Sequence, residues 1–304
     1  MRAWFEKNKK KVLIAAAVVI VLVAAYWFGG SAPGMQGWSV SKASASPSGV
    51  SLSAVSPSPL ASAEPSPSPA AETVSPSPSA AAKGGSGGIE TRPGGAENEK
   101  MTAAEKEKAA AKFGGNTAQV ENGDADYSAG AGMQLDPATG KDQYLTNPVP
   151  AGKPVPVEPQ NAVITDKQSI CTISISCSTI NDNIGWLDPE KKELVPSDGW
   201  LLKPTQVTFY EGESVFNVLQ RTCKQQGIHM EFKNTPIYNS AYIEGIGNLY
   251  EFDCGELSGW MYKVNSWFPN YGCSRYQLHE GDKIEWVYTC NLGVDVGGYA
   301  AATS

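Results

Sequence analysis

Glu211-Gly-Glu-Ser-Val-Phe-Asn-Val-Leu-Gln-Arg-Thr-Cys-Lys-Gln-Gln-Gly227 is the stretch on which the fold turns. Val215, Val218, Leu219, Thr222 and Cys223 recur at helical spacing, so the stretch predicts one amphipathic helix with a single apolar stripe. Ser214 is a side-chain cap for its start, and Gly227 stands where a left-handed residue ends a helix. Upstream, Cys171-Thr-Ile-Ser-Ile-Ser-Cys177 alternates strictly, with Cys171, Ile173, Ile175 and Cys177 on one face, as a half-buried strand does. Val207 to Tyr210 reads as a second short strand, and the span between Asn181 and Trp200 reads as a loop. Downstream, His229–Phe232, Ala241–Ile243 and Leu249–Phe252 are short extended pieces separated by Gly, Asn and Pro. Lys283 to Cys290 is the last strand, with Ile284, Trp286, Tyr288 and Cys290 on one face. Two strands, one helix and then several strands is the order of a β-grasp, in which the first and last strands lie side by side in a mixed sheet. The expected class is therefore α+β, a β-grasp-like mixed sheet with one main packing helix.

Working outward from this folded part, residues 161–298, the chain changes character. Between Trp38 and Cys171 the only aromatic residues are Phe113, Tyr127 and Tyr144, too few for a core. Ser-Pro repeats fill residues 41–82, glycines residues 83–95, and a lone Ala/Glu/Lys helix is expected over 97–112. The proline-rich Asn147-Pro-Val-Pro-Ala-Gly-Lys-Pro-Val-Pro-Val-Glu-Pro159 closes the segment. Residues 29–160 accordingly read as a long disordered linker with a reach of roughly 60–70 Å as a flexible coil. Arg2, Lys7, Lys9, Lys10 and Lys11 precede the uncharged apolar run Val12 to Phe28, which ends in Tyr26-Trp27-Phe28. This reads as a transmembrane signal anchor over 12–28. Residues 1–11 then form a cytoplasmic basic tail, and everything from residue 29, including the short tail 299–304, lies outside the cell. A cleavable signal peptide, cut near Val23-Ala24-Ala25, is the competing reading. The net charge of −7, without a basic patch in the folded part, argues against a nucleic-acid partner.

The candidate site is Ser258-Gly-Trp-Met-Tyr-Lys-Val-Asn-Ser-Trp-Phe-Pro-Asn-Tyr-Gly272. Asn265-Ser266 reads as a hairpin turn, and Phe268 to Gly272 as a second, wider turn that ends the return strand. Trp260, Tyr262, Trp267, Phe268 and Tyr271 are either the filling of a core or an aromatic ligand platform. The second reading rests on the turn positions of Trp267, Phe268 and Tyr271. The six cysteines, Cys171, Cys177, Cys223, Cys254, Cys273 and Cys290, all fall in the folded part. Outside a cell their even number reads as up to three disulfides, and a Cys254–Cys273 clasp across the base of the hairpin is the first pairing to expect. Buried free thiols are the alternative. His229 and His279 are far apart and no Cys-x-x-Cys is present, so no zinc site is read. Val287-Tyr-Thr-Cys290 faintly resembles the nucleophile strand of sortases, but no Arg follows it. Neither a phosphate loop nor a catalytic triad is found, so the chain is not read as an enzyme.

Phe209-Tyr-Glu-Gly-Glu-Ser-Val-Phe-Asn-Val-Leu219, Gly259-Trp-Met-Tyr-Lys-Val-Asn265 and Tyr276-Gln-Leu-His-Glu-Gly-Asp-Lys-Ile-Glu-Trp-Val-Tyr288 closely resemble the bacterial transcobalamin C-terminal-like domain. The resemblance spans roughly residues 170–293. It implies a β-grasp-like domain on surface or secreted proteins of Gram-positive bacteria. It also implies cobalamin or another corrinoid as a bound ligand rather than a required cofactor, held by Trp260, Tyr262, Trp267, Phe268 and Tyr271 with Asn265 as a polar contact. The expectation is a membrane-tethered extracellular ligand-binding domain. The alternative is an adhesive or wall-associated module that uses the same rings against glycan or protein.

Overall fold

The computed structural model describes residues 87–112 and 123–298 of the 304. The expected membrane segment at 12–28, the Ser-Pro repeats and the 299–304 tail lie outside the described residues. Among the described residues no helix is long and apolar enough to cross a membrane.

In chain order the elements are α1 (Ala103–Ala111), α2 (Ala125–Gly130), β1 (Gln168–Ser176), α3 (Ser178–Asp182), β2 (Trp200–Tyr210), α4 (Val215–Gln226), β3 (Met230–Thr235), β4 (Ser240–Ile246), β5 (Leu249–Tyr250), β6 (Gly259–Val264) and β7 (Lys283–Thr289). Four strands form a mixed sheet in the order β2-β1-β7-β6. The first and last strands are its parallel centre, in register from Thr172 opposite Lys283 to Ser176 opposite Val287. β2 and β6 flank them antiparallel. A smaller antiparallel sheet, β3-β4-β5, accompanies it. This is the mixed α+β arrangement that the order of elements predicts.

α4 forms as the sequence dictates. The Ser214 side chain accepts from the Asn217 amide at 3.3 Å, while the Asn217 side chain accepts from the Ser214 amide at 2.9 Å. Gly227 closes the helix at φ 67°. Its buried residues are Val215, Val218, Leu219, Thr222 and Cys223, the stripe read from the sequence. All but Thr222 join one apolar cluster with Cys171, Ile173 and Ile175 of β1 and Ile284 and Trp286 of β7. A second cluster gathers Cys177, Trp186, Leu187, Tyr288 and Cys290 beyond the far ends of those strands.

Four expectations are corrected. β2 is seven residues longer than read, because Leu201 and Leu202 also pack against the cluster. Pro204 is accommodated because β2 is an edge strand whose register slips between the pairings of Ile173 and Ile175. The return arm after Asn265-Ser266 is no strand: it makes a single bridge, Val264 to Trp267, and β6 pairs with β7 instead.

The disordered linker, third, does not extend to residue 160. Within 87–112, Arg92 is buried and its guanidinium donates to the Trp186 carbonyl at 3.1 Å, the Asp253 carbonyl at 2.9 Å and the Asp188 carboxylate at 2.7 Å. Ala110 of α1 is buried against Leu257 and Val294. Within 123–160, Val149 is buried in the main core. These stretches lack the apolar residues for a core of their own, and they fold by lending single anchors to an existing one.

The cysteines are the remaining correction. All six are free and buried. Cys254 and Cys273 belong to different clusters, so the expected clasp is not formed. Cys254 is instead in side-chain contact with Cys290.

Candidate functional site

The residues expected to form an aromatic platform separate into two groups. Tyr262 and Tyr271 are 9% and 6% exposed, and the Tyr262 hydroxyl donates to the Tyr271 carbonyl at 2.7 Å. Tyr262 packs against Trp286 at 5.5 Å between ring centres, so it is core. Burial pushes both phenols well above the ordinary tyrosine range. Asn265 holds the turn. It and Ser266 have φ of 52° and 67°, the left-handed pair of a two-residue hairpin connection. The Asn265 side chain accepts from the Lys283 amide at 3.0 Å and donates to Asp282 at 2.7 Å. Trp260 is half-buried, edge-on to Tyr288, with its indole N–H on the Leu249 carbonyl at 2.8 Å.

Trp267 and Phe268 are half-buried at the tip. The Lys263 ammonium lies 5.9 Å from the Phe268 ring centre. Trp267 stands 6.0 Å from Tyr271 and 6.4 Å from Tyr276. Over this aromatic corner runs a strap formed by residues 147–158. The Tyr271 hydroxyl donates to the Pro154 carbonyl at 2.7 Å, and the Asn270 amide donates to the Asn147 and Pro148 carbonyls at 3.0 and 3.3 Å. Lys153 lies 5.7 Å over the Trp267 ring. Beneath the strap Arg275 is 1% exposed. It donates to Asp142 and Glu158, each at 2.6 Å, and to the Thr146 hydroxyl at 2.6 Å. The sequence offered little warning of this, because Arg275 stands alone and its carboxylates lie more than a hundred residues upstream.

A cleft of about 300 Å³ opens between the β3–β4 connection and the wide turn 269–272. It is lined by Thr235, Tyr238, Ser240, Ala241 and Tyr242 on one side and Pro269, Asn270, Tyr271 and Gly272 on the other. Tyr238 and Tyr242 are 51% and 44% exposed, the largest exposed rings among the described residues. The two sides meet because position 272 has no side chain: a Cβ there would lie 1.8 Å from the Ser240 hydroxyl. Tyr238 and Tyr242 were not singled out from the sequence. The signal was present in Ala241-Tyr-Ile243, where Ala241 and Ile243 face the core and alternation turns Tyr242 outward. The Tyr242 hydroxyl is oriented by Glu251.

His229 and His279 are exposed, and no group of three or more His, Cys, Asp or Glu among the described residues is arranged to hold a metal ion. Burial pushes the thiols of Cys171, Cys177, Cys223 and Cys273 up to about 12, and raises that of Cys290 well above the ordinary thiol range, so none of these is poised as a nucleophile.

Fold and cleft together define a mixed α+β domain of two sheets with an open, tyrosine-lined surface site. Residues 212–290, from the turn before α4 to the residue after β7, match the family described as "Domain of unknown function (DUF4430)". No curated protein matches the chain. Among solved structures it is similar to haptocorrin in complex with Cbi, with 13% identity and a TM-score of 0.31 over 41% of this chain and 26% of that one. It is also similar to a candidate metal binding protein from Ruminococcus gnavus ATCC 29149, with 12% identity and a TM-score of 0.24 over 40% of this chain and 96% of that one. The chain thus spans about a quarter of the haptocorrin chain.

Proposed function

We propose that the folded part is a non-enzymatic ligand-binding domain, held outside the cell by the 12–28 anchor, and that its ligand enters the cleft between Tyr242 and Asn270. The observation that carries this reading is the pair of exposed rings, Tyr238 and Tyr242, lining one cleft with the Pro269–Gly272 turn and the polar Thr235, Ser240 and Asn270. Such a site takes a flat ligand with an apolar face and a hydrogen-bonding edge. A corrinoid has that chemistry, and the Gly259–Asn265 and Tyr276–Tyr288 motifs support it as the ligand. A cleft of about 300 Å³ receives the edge of a corrinoid rather than the whole molecule. The same size and the same rings suit one sugar unit of a surface glycan, which is the second reading.

The test is a titration of the full chain with cobalamin and cobinamide, read by intrinsic fluorescence, beside Tyr242→Ala. The expected result is saturable quenching, weakened about tenfold in the variant, since one ring contact at a binding site contributes about 1–2 kcal/mol. Equal quenching in both proteins would exclude the cleft. No saturation by either corrinoid, with saturation by a glycan fragment, would move the assignment to the second reading.

A further inference from the structure

The strap differs from the other described residues upstream of β1 in how it is held. Asn147–Pro150 and Pro154–Glu158 are extended arms outside any sheet, joined by a turn in which the Lys153 amide donates to the Pro150 carbonyl at 3.1 Å. Gly152, at φ 81°, supplies the left-handed residue that this turn requires. The groove meets the arms mainly through their carbonyls: Tyr271 takes Pro154, Asn270 takes Asn147 and Pro148, and the Tyr127 hydroxyl takes Lys153 at 3.0 Å. The Val157 amide returns one bond to the Arg275 carbonyl at 2.9 Å. One apolar side chain, Val149, is fully buried beneath it. Two carboxylates, Asp142 and Glu158, bracket the strap and converge on Arg275.

Aromatic hydroxyls and a side-chain amide donating to the carbonyls of a proline-rich backbone, beside an aromatic ring, is how folded domains grip extended proline peptides, whose low conformational entropy favours docking. We infer that the surface formed by Trp267, Asn270, Tyr271 and Arg275 is a binding site for proline-rich peptide flanked by carboxylates, and that residues 142–158 of this chain occupy it in cis. The site is separate from the Tyr238–Tyr242 cleft and shares with it only the Asn270–Tyr271 turn. It stands whether or not the cleft binds a corrinoid. Tethering gives the strap an effective concentration of the order of millimolar, so a peptide in trans competes only when the strap is weakened.

The test uses the full chain with Asp142→Asn and Glu158→Gln, isosteric changes on the strap side that leave the Arg275 charge without a carboxylate. The probe is a fluorescently labelled peptide of residues 142–160, followed by anisotropy. The expected result is saturable binding about tenfold tighter than to the unmodified chain, lost when Trp267→Ala is added or when the peptide itself carries the two amides. A second variant, Val149→Asp, dislodges the strap through its buried apolar anchor and should bind the same peptide. If both variants keep their far-ultraviolet circular dichroism and bind no peptide at about 1 mM, the strap is only a structural part of the fold. If both unfold, the strap is inseparable from the core. Either result overturns the inference.

Discussion

Arg275→Ala is the substitution that probes the arrangement most sharply. Its guanidinium is 1% exposed, Asp142 beside it is 6% exposed and Glu158 16%, measured on the side chains. Removing the cation leaves a buried carboxylate and a largely buried one with no counter-charge, which costs about 3–5 kcal/mol when one partner of a buried pair is removed. The Thr146 hydroxyl loses its donor, and the stacking of the guanidinium over Tyr144, 5.1 Å from the ring centre, is lost as well. For a folded unit of this size the loss lowers the thermal midpoint by roughly 6–20 °C. Urea denaturation followed by circular dichroism measures it directly. Adding Asp142→Asn and Glu158→Gln to Arg275→Ala should recover most of the loss, because no uncompensated charge then remains. A loss below about 1 kcal/mol, the contribution of an exposed ion pair, would refute the reasoning: it would mean that residues 142–158 are not seated on Arg275.

Two further outcomes follow from the same geometry. With Cys171, Cys177, Cys223 and Cys273 raised to about 12, only about one part in ten thousand of each is thiolate near pH 8. Because all six cysteines are buried as well, a thiol reagent should modify none of them in the native chain and all six after denaturation. Fewer than six in denaturant would mean that a disulfide has formed. Ser214→Ala removes the cap of α4 and should cost about 1 kcal/mol in urea denaturation, with Ser214→Thr retaining most of it.

What could be read in advance was whatever rests on local periodicity. The α4 stripe, its cap at Ser214, its end at Gly227 and the Asn265-Ser266 turn are each set by a few adjacent residues, and each is found where expected. The β1–β7 pairing was legible because element order restricts how the first and last strands of a mixed sheet can meet. The site was less legible for a physical reason. Trp260, Tyr262 and Tyr271 are the same residue types whether they meet a ligand or a core, and only three-dimensional neighbours decide. Here Trp286, Tyr288 and the strap claim them. The strap itself escaped because composition measures whether a segment can build a core, whereas Val149, Asp142 and Glu158 needed only to find one already built. Tyr242 was missed because a short strand with one exposed face draws attention to its apolar side, and Tyr238 because it sits in the turn Pro236–Tyr238, outside any periodic stretch.

The central claim, that ligand is received between Tyr242 and Asn270, is tested most directly by mapping amide chemical shifts of the full chain on addition of cobinamide. The shifted amides should concentrate at Thr235, Tyr238 to Tyr242 and Asn270 to Gly272, and Tyr242→Ala should abolish the shifts. Shifts confined to the β2 edge or to the region around Trp260, with the cleft unmoved, would contradict it.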